Sequence, residues 1–291
     1  MKILPLAAEL NATLEAEAPA VLNMLSDLGK RYYFPRGIIS QSAEAKAKAH
    51  RFNATIGIAT EKGGPMHLPS LQRYFQLDPA DLYPYAPTGG KPALREAWRK
   101  KQLAENPRMR DKAAGLPIVT AALTHGLSLA SELFVGAGDK ILVADKLWGN
   151  YRLTYEVRHG GVIETFPLFD GQAFHRTAFR SALLDLAGRV EKAVILLNFP
   201  NNPTGFSPTQ GDAEAIAAAV REAAERGLRQ VVIFDDAYFG LFYDDDCLPE
   251  SVFGFVAGIH PNVLAVKLDG ATKEEFAWGF RVGFITFAAA G

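Results

Sequence analysis

The chain has 291 residues, enough for one large domain or two unequal ones with a sizeable core. Its 48% hydrophobic and 22% charged residues are those of a globular protein, and a formal net charge of −1 gives no reason to expect nucleic acid or an anionic membrane as partner. Cys247 is the only cysteine, which excludes an intrachain disulfide, so a reducing cytoplasm is the expected location.

Taken in order, the N-terminal 50 or so residues read as helical and then irregular, with a loose stripe of Leu14, Val21, Leu22, Leu25 and Leu28. Glu9 and Glu15 interrupt any apolar run, so neither a signal peptide nor a membrane anchor is expected. Lys46 to Arg51 is a short basic run of the kind that covers a solvated face. A strand is predicted from Ala54 to Ala59, ended by the turn residues Glu61-Lys62-Gly63-Gly64-Pro65. Tyr83-Pro84-Tyr85-Ala86-Pro87-Thr88-Gly89-Gly90 reads as a rigid loop, because proline fixes φ and glycine permits tight bends. A helix follows from about Pro92.

Pro117 to Leu123 is predicted as a strand, with Thr124-His125-Gly126-Leu127-Ser128 opening a helix to Val135. A strand, a glycine and a helix N-terminus together make an anion site, since free backbone N–H groups and the helix dipole face one spot. Gly136 to Asp139 ends that helix, Lys140 to Ala144 is the next strand, and Trp148-Gly149-Asn150-Tyr151 follows it. Val162 to Phe166 is a strand and Phe174 to Ala187 a helix. Lys192 to Leu197 is an apolar run of the type buried on both faces, and it leads into Asn198-Phe199-Pro200-Asn201-Asn202-Pro203-Thr204-Gly205. Ser207-Pro208-Thr209-Gln210 reads as a capping box with proline at the first helical position, and Gly227 as the end of that helix.

Val231 to Phe234 is another buried strand and delivers Asp235-Asp236-Ala237-Tyr238. A carboxylate at the tip of an apolar strand is costly unless it meets a cation. Val263 to Val266 and Phe284 to Phe287 are the last two strands, and between them lie Gly270-Ala271-Thr272-Lys273 and Gly279-Phe280-Arg281-Val282-Gly283. Strands alternating with helices in this way predict an α/β fold with a mainly parallel, seven-stranded sheet and helices on both faces. Ligands gather at the carboxyl ends of such strands.

These motifs, in this order, resemble the aspartate aminotransferase superfamily, the type I fold of pyridoxal 5'-phosphate enzymes (class I/II aminotransferases). The resemblance covers roughly residues 54 to 287, and its most specific element is the N-P-T-G run of Asn202 to Gly205. It implies that Lys273 binds the cofactor aldehyde and that Arg281, Gly126, Leu127 and Ser128 hold its phosphate. It further implies that the Trp148 ring stacks on the pyridine, that Asn202 and Tyr238 meet the ring oxygen, and that Asp235 pairs with the ring nitrogen. Asp236 is the alternative register for that carboxylate, with the wrong spacing to the tyrosine. Tyr85, or Tyr83 in the competing register, matches a tyrosine that reaches the phosphate of a neighbouring subunit, which implies a homodimer. Gly270 stands where relatives usually carry a phosphate-binding serine, with Thr272 as the substitute. The backbone around Gly57 matches the segment lying against substrate.

The implied reaction moves an amino group between an amino acid and a 2-oxo acid. A lyase or synthase on the same scaffold and a non-catalytic cofactor-binding domain are the alternatives, and the lack of a basic DNA-binding segment argues against a regulator. Residues 1–75 are expected to form an N-terminal segment and part of a small domain, and 76–291 the large cofactor-binding domain. Relatives continue well beyond the last strand and carry there the arginine for the substrate carboxylate, so the chain is expected to be a fragment of a longer protein, with a naturally shortened protein as the alternative.

Overall fold

The structure, a computed structural model, describes residues 3–33, 38–53, 55 and 57–290. Seven strands form one sheet: β1 (Ile118–Thr120), β2 (Lys140–Ala144), β3 (Val162–Phe166), β4 (Lys192–Asn198), β5 (Arg229–Asp235), β6 (Val263–Asp269) and β7 (Gly283–Ala289), in the order β1-β7-β6-β5-β4-β2-β3. The pairs from β6 through β5, β4 and β2 to β3 are parallel, whereas β7 runs antiparallel to both β6 and β1. The seven strands predicted for the sheet and the α/β class are therefore observed.

Period-two alternation along the strands explains the two covered faces. Leu142, Ile195, Leu197, Val232 and Phe234 face one core, closed by α6 (Arg176–Ala187) and α7 (Gln210–Glu225) through Phe179, Leu183, Ile216 and Val220. Ile141, Val143, Val194, Leu196, Ile233 and Val266 face the other, closed by α5 (Ala122–Phe134) through Leu123, Leu127 and Ala130. Because both faces are buried, β4 reads as one continuous apolar run.

Before the sheet lie α1 (Pro5–Glu17), α2 (Pro19–Met24), α3 (Ile38–Lys48) and α4 (Pro92–Glu105). Of the predicted N-terminal stripe, Leu14, Leu22, Leu25 and Leu28 are half-buried and Val21 is exposed. The basic run from Lys46 to Arg51 is exposed, as expected. Among the described residues no helix is long and apolar enough to cross a membrane.

Four local expectations need correction. The strand expected over 54–59 is absent at residues 55 and 57–59, while Ala54 and Ile56 lie outside the described residues; a two-residue ribbon, Thr60–Glu61 against Gly64–Pro65, carries the predicted turn instead. The strand at Pro117 is only three residues long, and α5 starts at Ala122 rather than Thr124. Phe174 belongs to a small ribbon with Phe169, so α6 begins at Arg176. The cap of α7 is Thr209 with Asp212, not Ser207 with Gln210, because each side chain bonds the other's backbone N–H; Pro208 precedes the helix.

Lys267, fully buried on β6, pairs with Asp236, and its Nζ lies 3.3 Å from Asp269. Burial works against its charge, but the two carboxylates raise its pKa above the ordinary value. Trp98 and Gln102 of α4 donate to Asp269 as well, fastening that helix to the sheet. Removing one member of a buried ion pair strands the other, so Lys267→Met should lower the unfolding free energy by about 3–5 kcal/mol. A urea midpoint equal to that of the unaltered protein would contradict this.

Candidate active site

The chain leaves β2, β4, β5 and β6 at one edge of the sheet, and those four strand ends frame a cavity of about 320 Å³. The sheet order reverses between β2 and β4, the position where open α/β sheets leave a crevice. Trp148 comes from the segment after β2, Asn198 and Asn202 from the end of β4, Asp235 and Tyr238 from the end of β5, and Lys273 and Arg281 from the connection between β6 and β7. Leu123, Thr124 and Leu127 of α5 complete the wall.

Asp235 and Asp236 point to opposite sides, as successive residues at a strand end must. Asp236 goes to Lys267, whereas Asp235 faces the cavity and, among the described residues, has no cation within ion-pair distance. Of the two, only Asp235 lines this cavity. Its Oδ2 accepts the hydroxyl of Tyr151 at 2.5 Å and its Oδ1 the amide of Ala237 at 3.3 Å. Burial pushes its pKa up to about 6, against the pull of the Tyr151 hydrogen bond and of the Lys273 charge. Asn198 Nδ2 donates to the Asp235 carbonyl and its Oδ1 accepts the amide of Asn202, tying the β4 and β5 ends together.

Asn202 Nδ2 donates to the Tyr238 hydroxyl at 3.3 Å, so the two groups converge on one region. Lys273 Nζ stands 4.4 Å from the centre of the Tyr238 ring. Burial lowers the Lys273 pKa, Asp235 opposes the shift, and Arg281 adds to it. Arg281 itself has φ 53°, a left-handed backbone that a non-glycine residue adopts at some cost. Trp148 meets Tyr151 edge to face.

Other predicted residues stand elsewhere. Gly126 is buried under β6, where a Cβ would come within 2.9 Å of Leu268, so it serves close packing. Ser128 accepts a hydrogen bond from Arg158 at 2.9 Å and does not line the cavity. With α5 starting early, the unpaired first-turn N–H groups belong to residues from Ala122, and only Leu127 of the expected trio reaches the cavity wall. Thr272 is buried with its hydroxyl 3.4 Å from the Val282 carbonyl, outside the lining. Tyr85 and Tyr83 are both highly exposed and contribute nothing to this chain's cavity. Gly57 is exposed and also outside it.

Sequence reasoning missed Asn198 and Tyr151. Asn198 opens the N-P-T-G loop run and Tyr151 ends the tryptophan run, but neither spacing reveals a partner across strands. Gly270 has a steric cause: a Cβ there would lie 2.7 Å from the Val282 oxygen and 2.9 Å from the Gly283 Cα. Gly270→Ser should therefore lower thermal stability by about 1–3 kcal/mol instead of adding an anion contact. A serine variant as stable as the parent would refute the steric account.

A family model described as aminotransferase class I and II matches residues 69–290. The probable aspartate/prephenate aminotransferase of Aquifex aeolicus is 28% identical over 206 residues, aligning 69% of this chain with 48% of that one. The aspartate aminotransferase of Bacillus sp. strain YM-2 is 28% identical over 204 residues, 69% of this chain and 47% of the relative. The chain thus spans about half the length of the curated relatives it matches. Among solved structures, an aminotransferase from Anaerococcus prevotii superposes with a TM-score of 0.80 at 23% identity, covering 92% of this chain and 67% of that chain. The cytoplasmic aspartate aminotransferase of Saccharomyces cerevisiae gives 0.72 at 18% identity, covering 93% and 65%. At these identities the structural likeness is one of fold.

Proposed function

The chain belongs to the class I and II aminotransferases, and from that premise we propose that its cavity binds pyridoxal 5'-phosphate and serves transfer of an amino group between an amino acid and a 2-oxo acid. One observation carries the reading: a buried carboxylate, Asp235, without an ion-pair partner among the described residues, faces the same cavity as a half-buried amine, Lys273. A protonated pyridine nitrogen supplies the missing cation, and an aldehyde suits the amine. The cavity volume lies within the usual range for small-ligand sites.

In this reading Arg281, with first-turn N–H groups of α5, takes the phosphate. Trp148 offers a flat face to the ring. Asn202 and Tyr238, which meet each other at the cavity wall, would donate to the ring oxygen, and Asp235 would keep a proton on the ring nitrogen. When bound, the cofactor supplies an electron sink for the charge left on the substrate Cα by proton removal. Lys273 Nζ is the base that takes that proton and the acid that returns it. Its depressed pKa leaves more of the amine neutral than on an exposed lysine.

The proposal extends to a homodimer in the cytoplasm. Tyr74, Phe75, Tyr83 and Tyr85 are each more than half exposed, which suits burial against a second copy. In it Tyr85 would serve the other copy's site, and residues 76–291 would form the large domain beside 1–75. The test is to mix the protein with pyridoxal phosphate, record its visible absorption, and add a panel of amino acids. Amino-acid-dependent conversion to a 2-oxo acid is expected, whereas binding without conversion by any amino acid would favour a non-catalytic domain.

A further inference from the structure

The connection that presents Lys273 is held from its far side. Lys101 on α4 pairs with Glu105 of its own helix, and its Nζ lies 3.1 Å from Glu274 Oε2 and 3.0 Å from Glu275 Oε1. Glu274 and Glu275 immediately follow Lys273 in the chain. Glu274 also packs against Gly240, two residues beyond Tyr238, so closely that any Cβ there would collide with its carboxyl; Gly240 has φ +83°. One side chain is thus wedged between α4 and the segment that bears the cavity tyrosine. None of Lys101, Glu274 and Glu275 lines the cavity.

We propose that Lys101 is a positioning residue: by drawing Glu274 and Glu275 onto α4 it turns Lys273 inward, toward the cavity. The inference rests on the reading of Lys273 as the reactive amine, and concerns what aims it. Both glutamate side chains are about three-quarters removed from solvent, at 27% and 24% exposure. Burial, then repulsion from Glu275 and Glu105, pushes the Glu274 carboxyl up to about 7 against the pull of Lys101. Asp236 and Asp269 line the same small void, and both are occupied by Lys267. Lys101 is therefore the one cation the glutamates meet there among the described residues. Without its charge, two adjacent half-buried carboxylates would sit beside Glu105 unopposed. The cheaper arrangement is to turn them to water, and the peptide carrying Lys273 goes with them.

The consequence is read on Lys273 itself, without cofactor. Reductive methylation of the full chain with formaldehyde and a borohydride, followed by the mass of the Lys273 peptide across pH, gives the titration curve of that amine. In the unaltered protein the curve should lie below that of an exposed lysine. Lys101→Met should move it upward toward the exposed value of about 10.4 and quicken labelling, and Lys101→Arg should restore the original curve. A folded Lys101→Met protein with an unshifted curve overturns the proposal. Should that variant fail to fold, the double change Glu274→Ala with Glu275→Ala must give the same upward shift, and an unshifted curve there overturns it equally. A depressed Lys273 curve in a protein that pyridoxal phosphate and borohydride never label would instead defeat the functional reading and leave the positioning claim standing.

Discussion

Lys273→Ala is expected to leave no pyridoxal phosphate that borohydride can fix to the protein. Covalent capture needs an unprotonated amine inside the cavity, and Lys273 is the only lysine among the described residues that line it. Lys267 is nearby in sequence but is committed to Asp236 and Asp269 under the sheet. The variant should still bind some cofactor non-covalently, because Arg281, Asn202, Tyr238 and Asp235 remain. Peptide mapping after reduction gives a direct answer: undiminished labelling in the alanine variant would remove Lys273 from its assigned role. Loss of a covalent nucleophile that also moves the proton should cost any transfer activity at least several orders of magnitude.

Asp235→Asn should separate function from stability. The amide is nearly isosteric but carries no charge to hold a proton on a ring nitrogen, so transfer activity should fall on the order of 10²–10³-fold, the scale of losing one oriented electrostatic contact. The cofactor-free protein should instead gain stability at neutral pH. The Asp235 carboxyl goes from an ordinary 3.8 to about 6 on folding, with burial as the main cause. The folded state therefore binds the proton more tightly than the unfolded chain. The resulting penalty is absent below the unfolded pKa, grows through the interval between the two values, and is complete above about 6. At 1.36 kcal/mol per pKa unit it amounts to roughly 3 kcal/mol at pH 7. Urea midpoints of the two proteins should converge near pH 4 and diverge in favour of the asparagine variant at pH 7. A variant less stable than the parent at pH 7 would show that the Tyr151 and Ala237 hydrogen bonds outweigh the burial cost.

The stability cost of Asp235 fits its neighbourhood. Within two adjacent residues the chain carries one aspartate that is compensated and one that is not: Asp236 meets Lys267, and Asp235 meets a hydroxyl and an amide. Compensation of the first fastens α4 to the sheet through Asp269, Trp98 and Gln102. The lack of it in the second leaves an anionic group available to a ligand. The arrangement follows from alternation at a strand end and needs no special backbone.

The large features were legible because they depend on local pattern. The seven strands could be placed from runs of apolar residues, and the sheet is where those runs must go once helices alternate with them. Asn202, Asp235 and Lys273 fall at or just beyond the ends of buried strands, where polar groups emerge along one edge, and the family resemblance added Tyr238 and Arg281; all five line one cavity. Expectation failed where a pattern had two physical explanations. Gly126 was read as part of an anion cradle, yet a glycine at the start of a helix serves equally to let that helix approach a strand, and the close approach of Leu268 supplies that second reason. Thr272 looked available as a phosphate ligand until its hydroxyl was found buried beside Val282. Ser207 lost the cap of α7 to Thr209 because reciprocal bonding with Asp212 satisfies two otherwise unpaired N–H groups.

By itself, then, the order of residues determined the alternating α/β architecture, the strand ends at which polar groups emerge, and the membership of most of the cavity. Hydrophobic periodicity and turn chemistry are properties of short segments, and short segments are what a sequence displays. Only the tertiary structure decided which of two neighbouring aspartates faces inward, that Tyr151 lies against Asp235, and that Lys101 reaches across to the glutamates after Lys273. Those contacts join residues far apart in the chain, and their existence depends on the pairing of strands and the seating of helices, which no local pattern encodes.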